Sequence, residues 1–207
     1  MSQLIACQTH SGIVLAADGQ ATDFEPSGEM IQLKVERLVQ LSPHTAIAAG
    51  GAADGVHMCQ ALRSFIAAEK LDDVQEVYKA AIPFLGSEFD QFMRKRCEAL
   101  PVDPVHHVFF VLGGHTDRDA TQPFRLYLIW TKKKLPLLDG DEITRAFTVP
   151  RVMRMEHKLN RLSQEGAGLD QVLSQIKRDM EEIARGQEEV GPPFSYGLIT
   201  QEGFRPA

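Results

Sequence analysis

A chain of 207 residues, 43% hydrophobic and 24% charged, suits one large domain with a buried core, and no stretch approaches the roughly 18 apolar residues of a membrane span. Lys and Arg number 22 against 28 Asp and Glu, a net charge of -6, and no basic cluster exceeds Lys132-Lys133-Lys134, so the electrostatic footprint of a nucleic-acid binder is missing. Cys7, Cys59 and Cys97 form no CxxC spacing or even-numbered disulfide framework, and Met-Ser-Gln-Leu-Ile-Ala lacks the regions of a secretory signal, so a soluble cytoplasmic protein is expected, one domain over residues 1–207.

Residues 3–9 and 13–17 are apolar runs around His10-Ser11-Gly12, which predicts a hairpin. Residues 19–30 hold Gly, Ser, Pro, Asp and Glu without periodicity and read as a loop. Gln32 to Leu41 roughly alternates, Ser42-Pro43-His44 turns, and Thr45 to Ala49 completes a second hairpin. Gly50-Gly51-Ala52-Ala53-Asp54 then leads into a helix with Val56, Cys59, Leu62 and Ile66 at helical spacing. A second helical pattern runs through Val74, Val77, Ala81, Leu85, Phe89 and Phe92, with Pro83 expected to kink it and Pro101 and Pro104 beyond it. Val105 to Leu112, Phe124 to Thr131, Leu135 to Leu138 and Ile143 to Val149 read as a second block of strands. Helices over Arg151 to Leu162 and Leu169 to Ile183 follow, and Phe194 to Thr200 reads as a last strand.

Strand blocks alternating with helix pairs are not the βαβ rhythm of a doubly wound sheet. They predict an α+β fold, a four-layer αββα sandwich of two antiparallel sheets, each covered by a helix pair.

Within this order, Ser2, Asp18 and Lys34 stand at intervals of sixteen residues, a hydroxyl, a carboxylate and an amine along the first strands and loop. A small residue at position 2 permits removal of the initiator Met, after which Ser2 carries a free α-amine. The nucleophile-type Ser2, the run Ala17-Asp18-Gly19-Gln20-Ala21-Thr22, Lys34 followed by Val-Glu-Arg-Leu, and Ala49-Gly50-Gly51-Ala52-Ala53-Asp54 together resemble the proteasome family of N-terminal nucleophile hydrolases. The motifs cover about residues 2–60, and the Asp-Gly-Gln-Ala-Thr wording is especially similar to HslV, the peptidase of the bacterial HslUV protease.

The resemblance implies a threonine/serine-type endopeptidase subunit, self-assembled into a homo-oligomeric double ring around a polypeptide substrate. It leaves open an ATPase unfoldase docking on that ring. In such a site Ser2 would attack the amide carbonyl with its own α-amine, pKa roughly 7.7–8.0, as general base. Lys34 would lower the amine pKa and Asp18 would hold Lys34. By resemblance, Gly50 would offer its backbone N–H to the oxyanion. Thr22 and Ala52 would pair with an extended substrate, and Ala21, Gln32, Ala48 and Ala52 would line the pocket beside the cut.

Departures from the family pattern accompany these matches. Its usual Gly-Ser-Gly before the third helix is replaced by Arg145-Ala146-Phe147-Thr148-Val149-Pro150, where only Thr148 offers a hydroxyl. Its Asp and Ser before the last strand are unmatched in Gly186 to Pro193. A catalytically silent ring-forming scaffold is therefore the alternative to a peptidase, and an amidase acting on a small molecule is a third. No cofactor is expected, and no metal, since His106 and His107 are adjacent on a strand and point to opposite faces.

Overall fold

The computed structural model describes residues 2–24, 29–99, 107–131 and 138–207, without the side chains of 22–24, 30 and 96–99. Among them, β1 (Leu4–Thr9) and β2 (Gly12–Ala17) form the expected first hairpin. β2 is buried along its whole length and also pairs with β11 (Ser195–Thr200). The first five-stranded sheet is completed by β10 (Phe147–Val149) beside β1 and by β12 (Gly203–Pro206) beside β11. The second holds β5 (Leu38–Ser42), β6 (Thr45–Gly51), β7 (Val108–His115), β8 (Phe124–Thr131) and β9 (Leu138–Ile143) in that order. Every strand pairing among the described residues is antiparallel, as expected for the α+β class.

Among the described residues, four helices connect strands within the sheets, α1 (Asp54–Glu69) and α2 (Val74–Ala99) between β6 and β7, α3 (Met153–Gln164) and α4 (Leu169–Gly186) between β10 and β11. Alternation along the strands assigns each residue to one of two sheet faces. Leu4, Ala6, Ile13, Leu15 and Ala17 join Ala46, Ala48, Val111, Leu126 and Leu128 in a cluster shared by both sheets. Their neighbours Ile5, Cys7, Val14 and Ala16 pack with Leu159, Val172, Ile176 and Met180 of α3 and α4. Ile47, Phe110, Leu112 and Ile129 pack with Cys59, Leu62 and Ile66 of α1 and Leu85 and Phe89 of α2. At roughly 25 cal/mol per Å² of apolar surface removed from water, these three clusters are the main stabilising element of the chain.

Several expected boundaries are corrected. Residues 19–30, read as loop, contain β3 (Gln20–Phe24), which pairs with β4 (Met30–Lys34) in a two-stranded ribbon. A ribbon ladder is satisfied by backbone groups and needs no apolar alternation, so composition concealed it. The expected strand Gln32 to Leu41 divides into β4 and β5, with residues 35–37 between them and Arg37 1% exposed. The expected strand Ile143 to Val149 is the end of β9 and the whole of β10, in different sheets. Leu135 lies outside the described residues, as do the expected strand start at Val105 and His106. α2 continues through Pro83 as a single helix. β12 lay beyond the last strand expected.

Candidate active site

Ser2 lies two residues before the start of β1 at Leu4, on the same inter-sheet side as Leu4, whose side chain and the Ser2 hydroxyl both lie against Gly50. It is 5% exposed, and its Oγ accepts a 2.7 Å hydrogen bond from the backbone N–H of Gly51. Gly50 lies against the same hydroxyl: a Cβ there would sit 3.0 Å from Ser2 Oγ and 3.1 Å from Leu4 Cδ1. Gly51 has φ +85°, and its Cβ would meet the His107 carbonyl oxygen at 2.1 Å. Two glycines are thus required at the end of β6, one for close approach and one for backbone conformation. The N–H that reaches the Ser2 hydroxyl itself belongs to Gly51, while Gly50 supplies the space beside that hydroxyl.

Asp18, at the end of β2, is fully buried. Its Oδ1 accepts from Gln3 N at 2.8 Å and its Oδ2 from Gln20 N at 3.2 Å, so the carboxylate holds the residue next to Ser2. Asp18 N in turn donates to Gln3 O at 3.1 Å. The cation beside Asp18 is Arg37, whose Nε lies 3.6 Å from Oδ1. Lys34 stands on β4 opposite Gln20 with its side chain exposed, so the expected Asp18–Lys34 pair is replaced by Asp18–Arg37. Burial pushes the Asp18 carboxyl above its ordinary range, against Arg37 and the two backbone donors; burial likewise lowers Arg37, against Asp18.

Arg37 was visible in the sequence only as part of Lys34-Val-Glu-Arg-Leu. Nothing in its residue type distinguishes it from a surface arginine. The other contribution absent from the sequence reading comes from the far end of the chain: Gly19 N donates to Gly191 O at 3.0 Å, and a Cβ on Gly19 would lie 2.1 Å from Pro193 O. The segment before β11 that carries no family Asp or Ser therefore contacts the site's edge through its backbone.

Thr148 does not stand in for the missing Gly-Ser-Gly. It pairs with Ile5, on the helix-facing side of β1, and its hydroxyl donates to Glu156 Oε1 at 2.9 Å while accepting from Val152 N at 2.7 Å. Among the expected pocket residues, Ala21, Ala48 and Ala52 are at most 3% exposed, Ala48 in the cluster shared by the sheets and Ala52 under α1 and α2. Gln32 is exposed and accepts from Gln20 Nε2 at 2.8 Å; Thr22 faces it across the β3–β4 ladder. Ala52 N donates to His107 O at 3.0 Å, so that N–H is not free to pair with an added strand. A surface pocket nearby is lined by Leu33, Val35, Ala53, Val56 and His57, flanking rather than containing the expected set.

The arrangement brings together a buried hydroxyl, a backbone donor aimed at it, and a buried ion pair that fixes the neighbouring peptide. It can hold a nucleophile in one orientation. Among the described residues, no cluster of His, Cys, Asp and Glu could hold a metal ion.

No family model and no curated protein matches the chain. Among solved structures it is similar to Anbu (ancestral beta-subunit) from Yersinia bercovieri, with a TM-score of 0.65 and 17% identity over 99% of this chain and 86% of that one. The sequence likeness to HslV and the bacterial proteasome β subunits is therefore corrected: the short motifs of residues 2–60 do not carry membership of that family, and the structural likeness found is to Anbu. At this identity the likeness establishes the architecture alone, a proteasome-like fold.

Proposed function

We propose that the chain is a hydrolase on this proteasome-like fold, a four-layer αββα sandwich of the N-terminal-nucleophile type, that cleaves peptide bonds with Ser2 once Met1 is removed. The observation that carries the proposal is the 2.7 Å hydrogen bond from Gly51 N to Ser2 Oγ, made beside the Asp18–Gln3 contact. In the reaction the Ser2 hydroxyl gives its proton to its own α-amine, directly or through a water, and Oγ bonds to the carbonyl carbon. The tetrahedral oxyanion forms beside the Gly50–Gly51 turn, where an aimed backbone donor is typically worth roughly 3–4 kcal/mol. The ammonium returns its proton to the leaving amine as the C–N bond breaks, and water then hydrolyses the ester. Self-assembly into a ring chamber, with a polypeptide as substrate, completes the proposal.

The test uses protein whose Met1 has been removed by a methionine aminopeptidase. A peptide β-lactone is expected to acylate Ser2, seen as a mass increment on the N-terminal peptide, and Ser2→Ala to abolish both labelling and peptide hydrolysis. Equal hydrolysis by Ser2→Ala would exclude the mechanism. Light scattering on the same sample reads the assembly, and a monomer at micromolar concentration would remove the ring.

One observation favours a second reading, a catalytically silent ring-forming scaffold. The Thr148 hydroxyl is committed to Glu156 and Val152, so it is not aimed at the Ser2 amine. Native protein that retains Met1 by intact mass supports the scaffold; loss of Met1 together with Ser2 acylation eliminates it.

A further inference from the structure

The largest fully buried side chain among the described residues is a cation, Arg37. An arginine taken out of water requires compensation from every polar group it can reach. Its Nη2 donates to Gln20 O at 2.8 Å, its Nη1 to Ala49 O at 3.4 Å, and its Nε lies 3.6 Å from Asp18 Oδ1 without a hydrogen bond. Its own carbonyl accepts from Ala49 N at 2.9 Å, so Arg37 holds both polar backbone groups of Ala49.

Those partners sit on the two sides of Ser2. Ala49 leads directly into Gly50 and Gly51, whose N–H meets the hydroxyl. Asp18 holds Gln3, the residue that carries Ser2 into β1. Gln20 begins β3 and shares Asp18 through its own N–H. On the reading that Ser2 is the nucleophile, we infer that Arg37 is the positioning residue of the site, its planar fork tying the chain that bears the hydroxyl to the turn that donates to it. Lys34, exposed on β4, has no part in that bracket.

A planar guanidinium presents donors in fixed directions to two carbonyls while its charge stands beside a carboxylate, which a single ammonium cannot match. Removing one partner of a buried ion pair leaves the other charge uncompensated and destabilises the fold, so thermal unfolding is read beside acylation to separate a loss of stability from a loss of positioning. Arg37→Met and Arg37→Lys, each with Met1 removed, are compared with the parent in β-lactone acylation of Ser2, thermal unfolding and amide hydrogen exchange. Arg37→Met is expected to lower the maximal acylation rate by roughly tenfold to a hundredfold, as small misplacement of a reacting group does, with the half-saturating concentration unchanged. Arg37→Lys recovers part of that loss. Exchange at the Gln3 and Gly51 amides speeds up in Arg37→Met while the strands of the cores stay protected.

Acylation at the parental rate in Arg37→Met, with both amides still protected, would overturn the inference. So would a loss of rate that follows Lys34→Met instead. If Arg37→Met does not fold, Arg37→Lys decides alone, and parental rate and exchange in that variant count against the role. If the parent is never acylated at Ser2, the nucleophile proposal fails, and the exchange comparison still decides whether Arg37 holds the two amides.

Discussion

Adjacent glycines at the end of β6 resist substitution for different physical reasons. A methyl at position 51 would lie 2.1 Å from a carbonyl oxygen on a backbone at φ +85°, so Gly51→Ala is expected to destabilise the protein by about 1–3 kcal/mol in urea denaturation. At position 50 the methyl instead meets the Ser2 hydroxyl at 3.0 Å and a leucine terminus at 3.1 Å. Gly50→Ala should therefore stay within about 1 kcal/mol of the parent while displacing the hydroxyl and losing acylation. Both glycines were legible in the sequence because Gly-Gly after an apolar run marks a strand end. Ser2 and Asp18 were legible through their spacing and their flanking residues. Arg37 was not, because what buries it is a carboxylate nineteen positions earlier and two carbonyls on other segments, none of which leaves a local pattern.

At the scale of elements, α3 is tied to β10 by a buried carboxylate. Glu156 accepts from Thr148 N and Oγ1 at 3.0 and 2.9 Å and from Arg151 Nε at 2.9 Å. Burial alone would push its carboxyl up, but the hydrogen bonds from Arg151 and Thr148 outweigh burial and hold it below its ordinary 4.5. A depressed carboxyl stabilises the fold above its unfolded value, and that stabilisation disappears as pH falls from about 4.5 through the folded value. Glu156→Gln should cost about 1–3 kcal/mol at pH 7 and flatten the acid side of a stability-versus-pH curve. A variant as acid-sensitive as the parent would show that the acid transition originates elsewhere. The helices were readable because their apolar residues recur at three and four positions. The division of residues 138–149 between two sheets was not, since strand partners are chosen by the whole fold.

Across the whole molecule, the strands sort their side chains between three apolar clusters, and β2 contributes to two of them. Leu15→Ala, in the cluster shared by the sheets, is expected to cost about 2–5 kcal/mol in chemical denaturation. β2 also lies between β1, its neighbour in sequence, and β11, nearly the last strand made. Gly19 makes its backbone bond to Gly191 in the same late region. Such pairing across the length of a chain forms slowly and only when both ends are present. A chain ending at residue 189 is expected to show neither cooperative unfolding nor Ser2 acylation. During synthesis, then, Ser2 leaves the ribosome well before the residues of β11 and Gly191 that complete its surroundings. On the reading that Ser2 is the nucleophile, that group stays idle while the chain around it is still extended and open to cleavage.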